Sequence, residues 1–328
     1  MELQDGAELC FPQLFNVSCK KPTLHWSEAV LLNILLVFIS LITVVLNLLV
    51  IISVSHFRQL HTPTNIFLLS LAVSDFLVGL LLMPLEIFKK SACWILGDVV
   101  CVLYGYLVSH MVYASIGNIV LISVDRYVAI CHPLHYPIKI TVTRVKCCVC
   151  LSWLWFGFFT IVCIKDELIE PGRNNSCFGE CTLFISYVAR AADLVLTFII
   201  PVSVIVFVYV RVFAVAVSHA VAMRSHITDV TFQHSVNVTK KSELKAARTL
   251  AVLVFVYLIC FCPFYCYSLV TVDLTGSAYA SFLFFLFYFN SCLNPIIYAL
   301  FYHWFRKAVK LIVTLQILQP CSCEVNIM

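Results

Sequence analysis

Charge is what this chain lacks first. Of its 328 residues 12% are Asp, Glu, Lys or Arg and 62% are hydrophobic, whereas a soluble domain usually carries about 25% charged residues. A water-facing globule of this length is excluded for want of polar surface. Glycine is scarce, with 9 residues, and no low-complexity tract occurs. No Gly-rich phosphate loop and no His-Glu-x-x-His pattern is present, and the scattered histidines keep no metal-ligand spacing, so an enzyme has little support. The net charge of +4 carries no nucleic-acid signal. A transporter or channel would bring internal repeats and broken helices with midplane charges; no such repeat is visible. A cleavable signal peptide is not expected either, because the first 25 residues are polar and carry Glu2, Asp5 and Glu8.

Present instead are long apolar runs: about Ala29–Val54, Asn65–Ile87, Val99–Val124, Val145–Ile164, Leu183–Val212, Ala246–Val270 and Ala278–Phe301. Each is near or above the roughly 20 residues that a bilayer helix needs. They are continuous rather than alternating and too long for barrel strands, so backbone bonding in lipid leaves helices. The expected fold is an all-α membrane protein, a seven-transmembrane helix bundle at 29–302 with an N-terminal arm at 1–28. A short amphipathic eighth helix near 303–314 opens the 303–328 tail, with Trp304, Phe305, Leu311 and Ile312 toward lipid and Arg306, Lys307 and Lys310 toward headgroups. Basic residues gather after the odd-numbered spans and in the tail, among them Arg58, Arg126, Lys139, Arg144, Lys240, Lys241 and Lys245, while the other loops mix both signs. The positive-inside rule then places the N-terminus outside and the first span as signal anchor.

That orientation puts the sequons at Asn16 and Asn174 outside and the one at Asn237 inside. Cys10, Cys19, Cys93, Cys101, Cys177 and Cys181 fall at the outer side, where disulfides persist. Cys321 and Cys323 follow the basic amphipathic stretch and either carry palmitate or remain free thiols.

Polar groups inside the spans each need a reason, since an acidic side chain at the bilayer centre costs about 2.5–3.5 kcal/mol on insertion scales. Asp75 lies mid-span, with Asn47, Ser115, Asn290, Ser291 and Asn294 at similar depths in other runs; these make either a site for a hard cation such as sodium or a network that locks helices. Asp125-Arg126-Tyr127 ends the third run and Glu243 begins the sixth on the same side. An Arg–carboxylate pair across the two would be a latch; ordinary juxtamembrane charge is the alternative. Pro201, Pro263 and Pro295 break hydrogen bonding inside their runs.

Taken together, Leu71-Ala72-Val73-Ser74-Asp75, Asp125-Arg126-Tyr127, Cys260-Phe261-Cys262-Pro263 and Asn294-Pro295-Ile296-Ile297-Tyr298 resemble the rhodopsin-like (class A) G-protein-coupled receptors over essentially the whole chain. Within that class Cys260-Phe261-Cys262-Pro263-Phe264, Asn290-Ser291-Cys292-Leu293-Asn294, the tail from Phe301 to Ala308, and the cysteine segments around Cys19 and Cys177–Cys181 are similar to the trace amine-associated receptors. The resemblance implies a Cys101–Cys181 bridge and a Cys19–Cys177 bridge, with Cys10 competing for Cys177. It implies that Arg126 leaves Asp125 and Glu243 on activation, that Tyr209 and Tyr298 swing inward, that Asp75, Ser115 and Asn294 hold an inactive-state sodium ion, and that Phe261 is a toggle where the family usually has tryptophan. It further implies no cofactor, a small-molecule amine ligand, a stimulatory, olfactory-type heterotrimeric G protein, and a place in the plasma membrane of sensory cilia among membrane lipid.

One absence matters most. Aminergic receptors hold the ligand ammonium with a third-span aspartate eighteen residues before the Asp-Arg-Tyr arginine; here that position is Val108, beside Ser109 and His110. Asp193 in the fifth run offers a replacement, eight residues or roughly 12 Å before Pro201. Some fish relatives are similar in carrying such an aspartate. Thr197 would assist, Val108, Ser109 and Phe261 would line the pocket, and Phe264, Tyr265, Phe284 and Tyr288 would add an aromatic wall. No third-span carboxylate offers itself for a second cationic end. Arg190, one helical turn before Asp193, either neutralises it, points to the loop acids, or joins it in gripping a zwitterion. A neuromodulator receptor for an indoleamine or catecholamine is the alternative, and Val108 argues against it.

Overall fold

A computed structural model describes residues 8–21, 26–173, 175–225, 251–268 and 278–327. Seven helices are long and apolar enough to cross a membrane: α1 Trp26–His56, α2 Pro63–Ser91, α3 Asp98–Cys131, α4 Val142–Cys163, α5 from Tyr187 through Ser225, α6 Ala251–Ser268 and α7 Ala278–Phe301. Helix α8, His303–Val313, follows α7 directly. The chain is thus an all-α, multi-pass membrane protein. Among the described residues no strand forms, and the β-type bridges are two isolated ones, Leu9 with Lys20 and Ser18 with Phe178.

Local chemistry sets several helix starts. The Thr62 side chain accepts from the Asn65 amide with Pro63 in the first turn of α2, Thr141 caps α4 at the Arg144 amide, and Ser186 caps α5 at the Ala189 amide. Several helix ends correct the sequence expectations, and α5 runs on to Ser225 rather than about Val212. The fifth helix begins at Tyr187 rather than Leu183, because Cys181 is tied to Cys101 and Leu183 lies against Gly105 of α3. The fourth begins at its threonine cap. Helix α3 runs past Asp125-Arg126-Tyr127 to Cys131; nothing breaks it before His132, which precedes Pro133.

Two helices widen into π turns, Val78–Leu82 in α2 and Leu194–Ile199 in α5, each just before a proline, Pro84 and Pro201. Proline lacks the N–H that a helix would use there. In α2 the i−5 partner of Pro84 would be the Gly79 carbonyl, and Ser40 of α1 donates its hydroxyl to that oxygen at 2.7 Å. The close approach needs glycine: a Cβ on Gly79 would lie 3.0 Å from the Thr43 side chain. Asn47 donates to the Ser291 carbonyl of α7 at 3.1 Å, and Trp153 of α4 donates to Ser70 of α2 at 2.9 Å. Between helices in lipid such polar ties and close packing replace the hydrophobic effect.

Large buried side chains, including Leu68, Leu71, Ile116, Ile119, Tyr257, Phe261 and Tyr298, fill the bundle, while Phe38, Leu154, Phe158, Phe207 and Phe213 face outward as a lipid-facing surface. Trp304 and Phe305 of α8 are buried against the bundle with Ala308, correcting the expectation that both turn to lipid. Helix α8 packs on α1 and α7, so its aromatic stripe finds protein before bilayer. The tail then folds back: Ser322 meets His56 at 2.9 Å and the Ile327 amide donates to Gln59 at 3.1 Å.

At the other end three cystines stack: Cys101–Cys181, Cys19–Cys177 and Cys10–Cys93. Cys10 pairs with Cys93 at the α2–α3 connection rather than competing for Cys177. The arm from Leu9 to Lys20 is therefore pinned at two points across this end, with Phe11 packed edge-on to Phe178 at 4.8 Å.

Two outcomes follow. Ser40→Ala leaves the Gly79 carbonyl without its donor and lowers the thermal stability of purified receptor by about 1–2 kcal/mol; an unchanged melting midpoint in detergent would contradict the tie. Cys10→Ser with Cys93→Ser costs less than the roughly 2–5 kcal/mol of an isolated disulfide, because Cys19–Cys177 still anchors the arm. Limited proteolysis near residues 8–18 should accelerate, with the other two cystines intact by non-reducing peptide mapping.

Candidate functional site

Asp193 closes the first segment of α5, immediately before the π turn. Thr197 directs its hydroxyl at the Asp193 backbone carbonyl, 2.6 Å away, and at its carboxylate, 3.0 Å away. The same hydroxyl lies 2.8 Å from the Tyr265 hydroxyl of α6. Thr197 has one proton and gives it to the aspartate, so Tyr265 donates to Thr197, forming a relay from α6 to α5. The Tyr113 hydroxyl of α3 is directed at the same carboxylate. Asp193 is half-buried and Thr197 is buried. Among the described residues no ion pair joins Arg190 to Asp193. The sequence reading missed Tyr113, which lies in an apolar stretch with nothing to distinguish it from packing.

Val108 and Ser109 are half-buried on α3. His110 belongs to the α3–α4 seam, stacked on Tyr106 and edge-on to Trp153. The aromatic wall is continuous: Phe264 lies 5.5 Å from Tyr265, 5.6 Å from Phe284 and 5.4 Å from Phe287, and Phe261 lies 4.8 Å from Phe287. Tyr288 is buried, with its hydroxyl 3.2 Å from that of Tyr104. A small cavity lined by Val112, Ser115, Phe261, Phe287, Asn290 and Ser291 lies beneath this wall.

Below it Asp75 is fully buried. Ser115 donates to one oxygen at 3.0 Å and Asn294 to the other at 2.7 Å, while Ser74 sits 3.2 Å from Ser115. Among the described residues Asn294 Oδ1, beside that carboxylate, is buried without a protein partner, as is Asn47 Oδ1. Carboxylate, hydroxyl and amide oxygens are hard ligands suited to a small cation, so the donor set fits sodium.

At the far end Arg126 donates to Asp125 through Nε at 3.0 Å and Nη2 at 2.6 Å. Arg126 also meets the Thr64 hydroxyl of α2. Thr64 donates to Asp125 at 2.8 Å, and Tyr136, on the single turn Tyr136–Lys139 after α3, donates to Asp125 at 2.9 Å. Burial pushes the Tyr136 phenol up from its ordinary value, which keeps it a donor at neutral pH. Thr64 and Tyr136 were not legible beforehand, because nothing in their sequence neighbourhood ties them to Asp125. Glu243 lies outside the described residues. Tyr127 turns away toward His132 at 3.5 Å. The Tyr209 and Tyr298 hydroxyls are buried without a protein partner among the described residues.

Of the remaining candidates, Asn16 is exposed on the arm and Asn174 lies outside the described residues. Cys321 is exposed and Cys323 half-buried, both with free thiols.

Residues 46–298 match the model of the 7 transmembrane receptor (rhodopsin family). The chain is 39% identical over 335 residues to trace amine-associated receptor 13c of Danio rerio, covering 98% of this chain and 97% of that one. It is 36% identical to trace amine-associated receptor 1 of Mus musculus, over 90% of this chain and 93% of the relative, and 34% identical to that of Homo sapiens, over 94% and 95%. With this fold, this match and these relatives, the chain belongs to the rhodopsin family of seven-transmembrane receptors, within its trace amine-associated group, and is a receptor rather than an enzyme.

Proposed function

We propose that this receptor senses amines at its cystine-bearing end, that this end is extracellular, and that Asp193 holds the ligand ammonium. One observation carries the reading: the Asp193 carboxylate is held by the Thr197 hydroxyl, faces the Tyr113 hydroxyl, and is met by no protein cation among the described residues. Val108 has no group to compete for that cation. A carboxylate placed among hydroxyls in a low-dielectric wall attracts an ammonium far more strongly than one in water. The names of the similar receptors support the ligand class, and the aromatic wall supplies faces that favour cations.

The Tyr265–Thr197–Asp193 relay suggests how binding reaches the far end. An ammonium on Asp193 competes for the lone pairs that Thr197 now occupies, and loosening that bond alters the tie between α5 and α6. Tyr265 stands one turn from Phe261, which packs on Tyr257 and Phe287. A ligand shifts an equilibrium only by binding one arrangement better, and this contact differs between the two. At the other end Arg126 leaves Asp125, Thr64 and Tyr136 to meet a stimulatory, olfactory-type G protein, with Glu243 as a further partner of the resting state and Tyr209 and Tyr298 filling the opened space. Sodium on Asp75, Ser115 and Asn294 favours the resting state. Asn16 and Asn174 carry glycans, Cys321 and Cys323 palmitate, and sensory-neuron cilia are the site of action.

Asp193→Asn at normal surface expression raises the half-effective amine concentration about 10- to 100-fold, the loss of one charge-assisted contact, read as ligand-triggered cyclic AMP. An unchanged response removes the anchor, and current or uptake without cyclic AMP removes the stimulatory G protein. For sodium, exchanging an organic cation for sodium at fixed ionic strength weakens agonist binding to wild type and leaves Asp75→Asn unaffected; equal sensitivity of both would dismiss the ion.

A further inference from the structure

Eleven of the 17 cysteines are free, and exposure divides them. Cys260 and Cys292 are buried, as thiols that fill apolar gaps should be. Cys147, Cys148 and Cys150 are exposed, all near the start of α4, and packing gives them no role. The buried residues of this helix, Val145, Gly157 and Thr160, mark the side turned to the bundle. Helical periodicity puts Cys147 on the opposite side, in one stripe with Leu151, Leu154 and Phe158, which are 65%, 71% and 62% exposed.

Local bonding fixes where that stripe begins. Thr141 caps the helix at the Arg144 amide, and the Arg144 guanidinium donates to the carbonyls of Ile138 and Lys139 in the preceding turn at 3.0 and 3.1 Å. Lys139, Arg144 and Lys146 are all exposed, so α4 starts with basic groups suited to anionic headgroups. The thiols follow at once. From Cys147 to Phe158 the helix rises roughly 16 Å, about the depth of one leaflet of a hydrocarbon core about 30 Å thick. A fatty acyl chain attached at Cys147 has the length of that leaflet to lie along Leu151, Leu154 and Phe158.

We propose that Cys147, with Cys148 and Cys150 beside it, forms an S-acylation site for a long-chain acyl group delivered as its coenzyme A thioester. The cysteine sulfur attacks the thioester carbonyl, and a new carbon–sulfur bond forms as the bond to the coenzyme A sulfur breaks. The thiol proton ends on the departing coenzyme A, and no oxidant or reductant takes part. The site rests on the orientation proposed above, in which this end meets the cytosol, and it is separate from the tail cysteines. It places a cleavable lipid anchor beside the latch, because Tyr136, on the turn just before α4, donates to Asp125.

The test feeds an alkynyl palmitate analogue to cells expressing the full chain and reads the label on isolated receptor before and after hydroxylamine, which cleaves thioesters. Cys321→Ser with Cys323→Ser should keep hydroxylamine-sensitive label, and adding Cys147→Ser, Cys148→Ser and Cys150→Ser should bring it to background. Should the combined variant fail to reach the surface, peptide mapping of the tail variant decides: the tryptic segment 147–165 should carry an acyl mass that hydroxylamine removes. Loss of all label in the tail variant overturns the site, as does a segment 147–165 whose thiols are free or joined by disulfide to a second copy. An amino-terminal epitope should bind antibody on unpermeabilised cells. Binding only after permeabilisation reverses the orientation and removes the site along with the reading it rests on.

Discussion

Removing a carboxylate from water costs several kcal/mol unless partners replace its hydration, and four on the membrane-spanning helices, Glu86, Asp193, Asp75 and Asp125, face inward here, Asp193 only half-buried. Each is compensated differently. Glu86 has a phenol and a lysine, Asp193 hydroxyls alone, Asp75 an amide and a hydroxyl, and Asp125 an arginine with two further hydroxyls. Asp125 is met by a guanidinium and Glu86 by an ammonium, while Asp75 and Asp193 are met by neutral groups among the described residues.

Helix α3 supplies a partner to all of them. Tyr104 serves Glu86, Tyr113 faces Asp193, Ser115 serves Asp75, and Asp125 and Arg126 form the latch themselves. This explains why α3 is long and largely buried, and why it contributes hydroxyls where an aminergic receptor would contribute an anion. Helix α3 has Val108 where that anion would stand, and the carboxylates at this end lie on the flanking helices α2 and α5. Movement of α3 relative to either neighbour must stretch one of these bonds, so the sites are coupled through a single rigid element.

Much of this was legible in the sequence. The seven apolar runs gave the spans, because lipid permits one way to satisfy a buried backbone, and Asp75, Arg126 and Asp193 stood out because charge inside an apolar run demands a reason. What was not legible were the partners. Tyr104, Tyr113, Thr64 and Tyr136 are ordinary residues whose role appears only when a neighbouring helix brings a carboxylate to them. Glu86 was passed over because it sits near the end of its run, where charge usually reaches headgroups. Pro84 likewise gave no sign that the Gly79 carbonyl would need Ser40. The burial of Trp304 and Phe305 depended on α8 meeting protein before bilayer, which an amphipathic pattern does not decide.

On the proposed function, in which Asp193 holds the ligand ammonium, its placement has a consequence for how a ligand activates this receptor. An ammonium on an α3 carboxylate pulls on the helix that also carries the latch. An ammonium on Asp193 acts instead on Thr197, and through it on Tyr265 of α6, inside the π turn that already replaces regular hydrogen bonding in α5. A wide turn is a segment whose backbone has given up its most favourable arrangement, so returning it to a regular turn, or shifting it along the helix, costs less than distorting an intact one. On that proposal ligand charge is applied beside the π turn of α5, adjacent to the α6 contact, and α3 holds the resting latch until α6 moves.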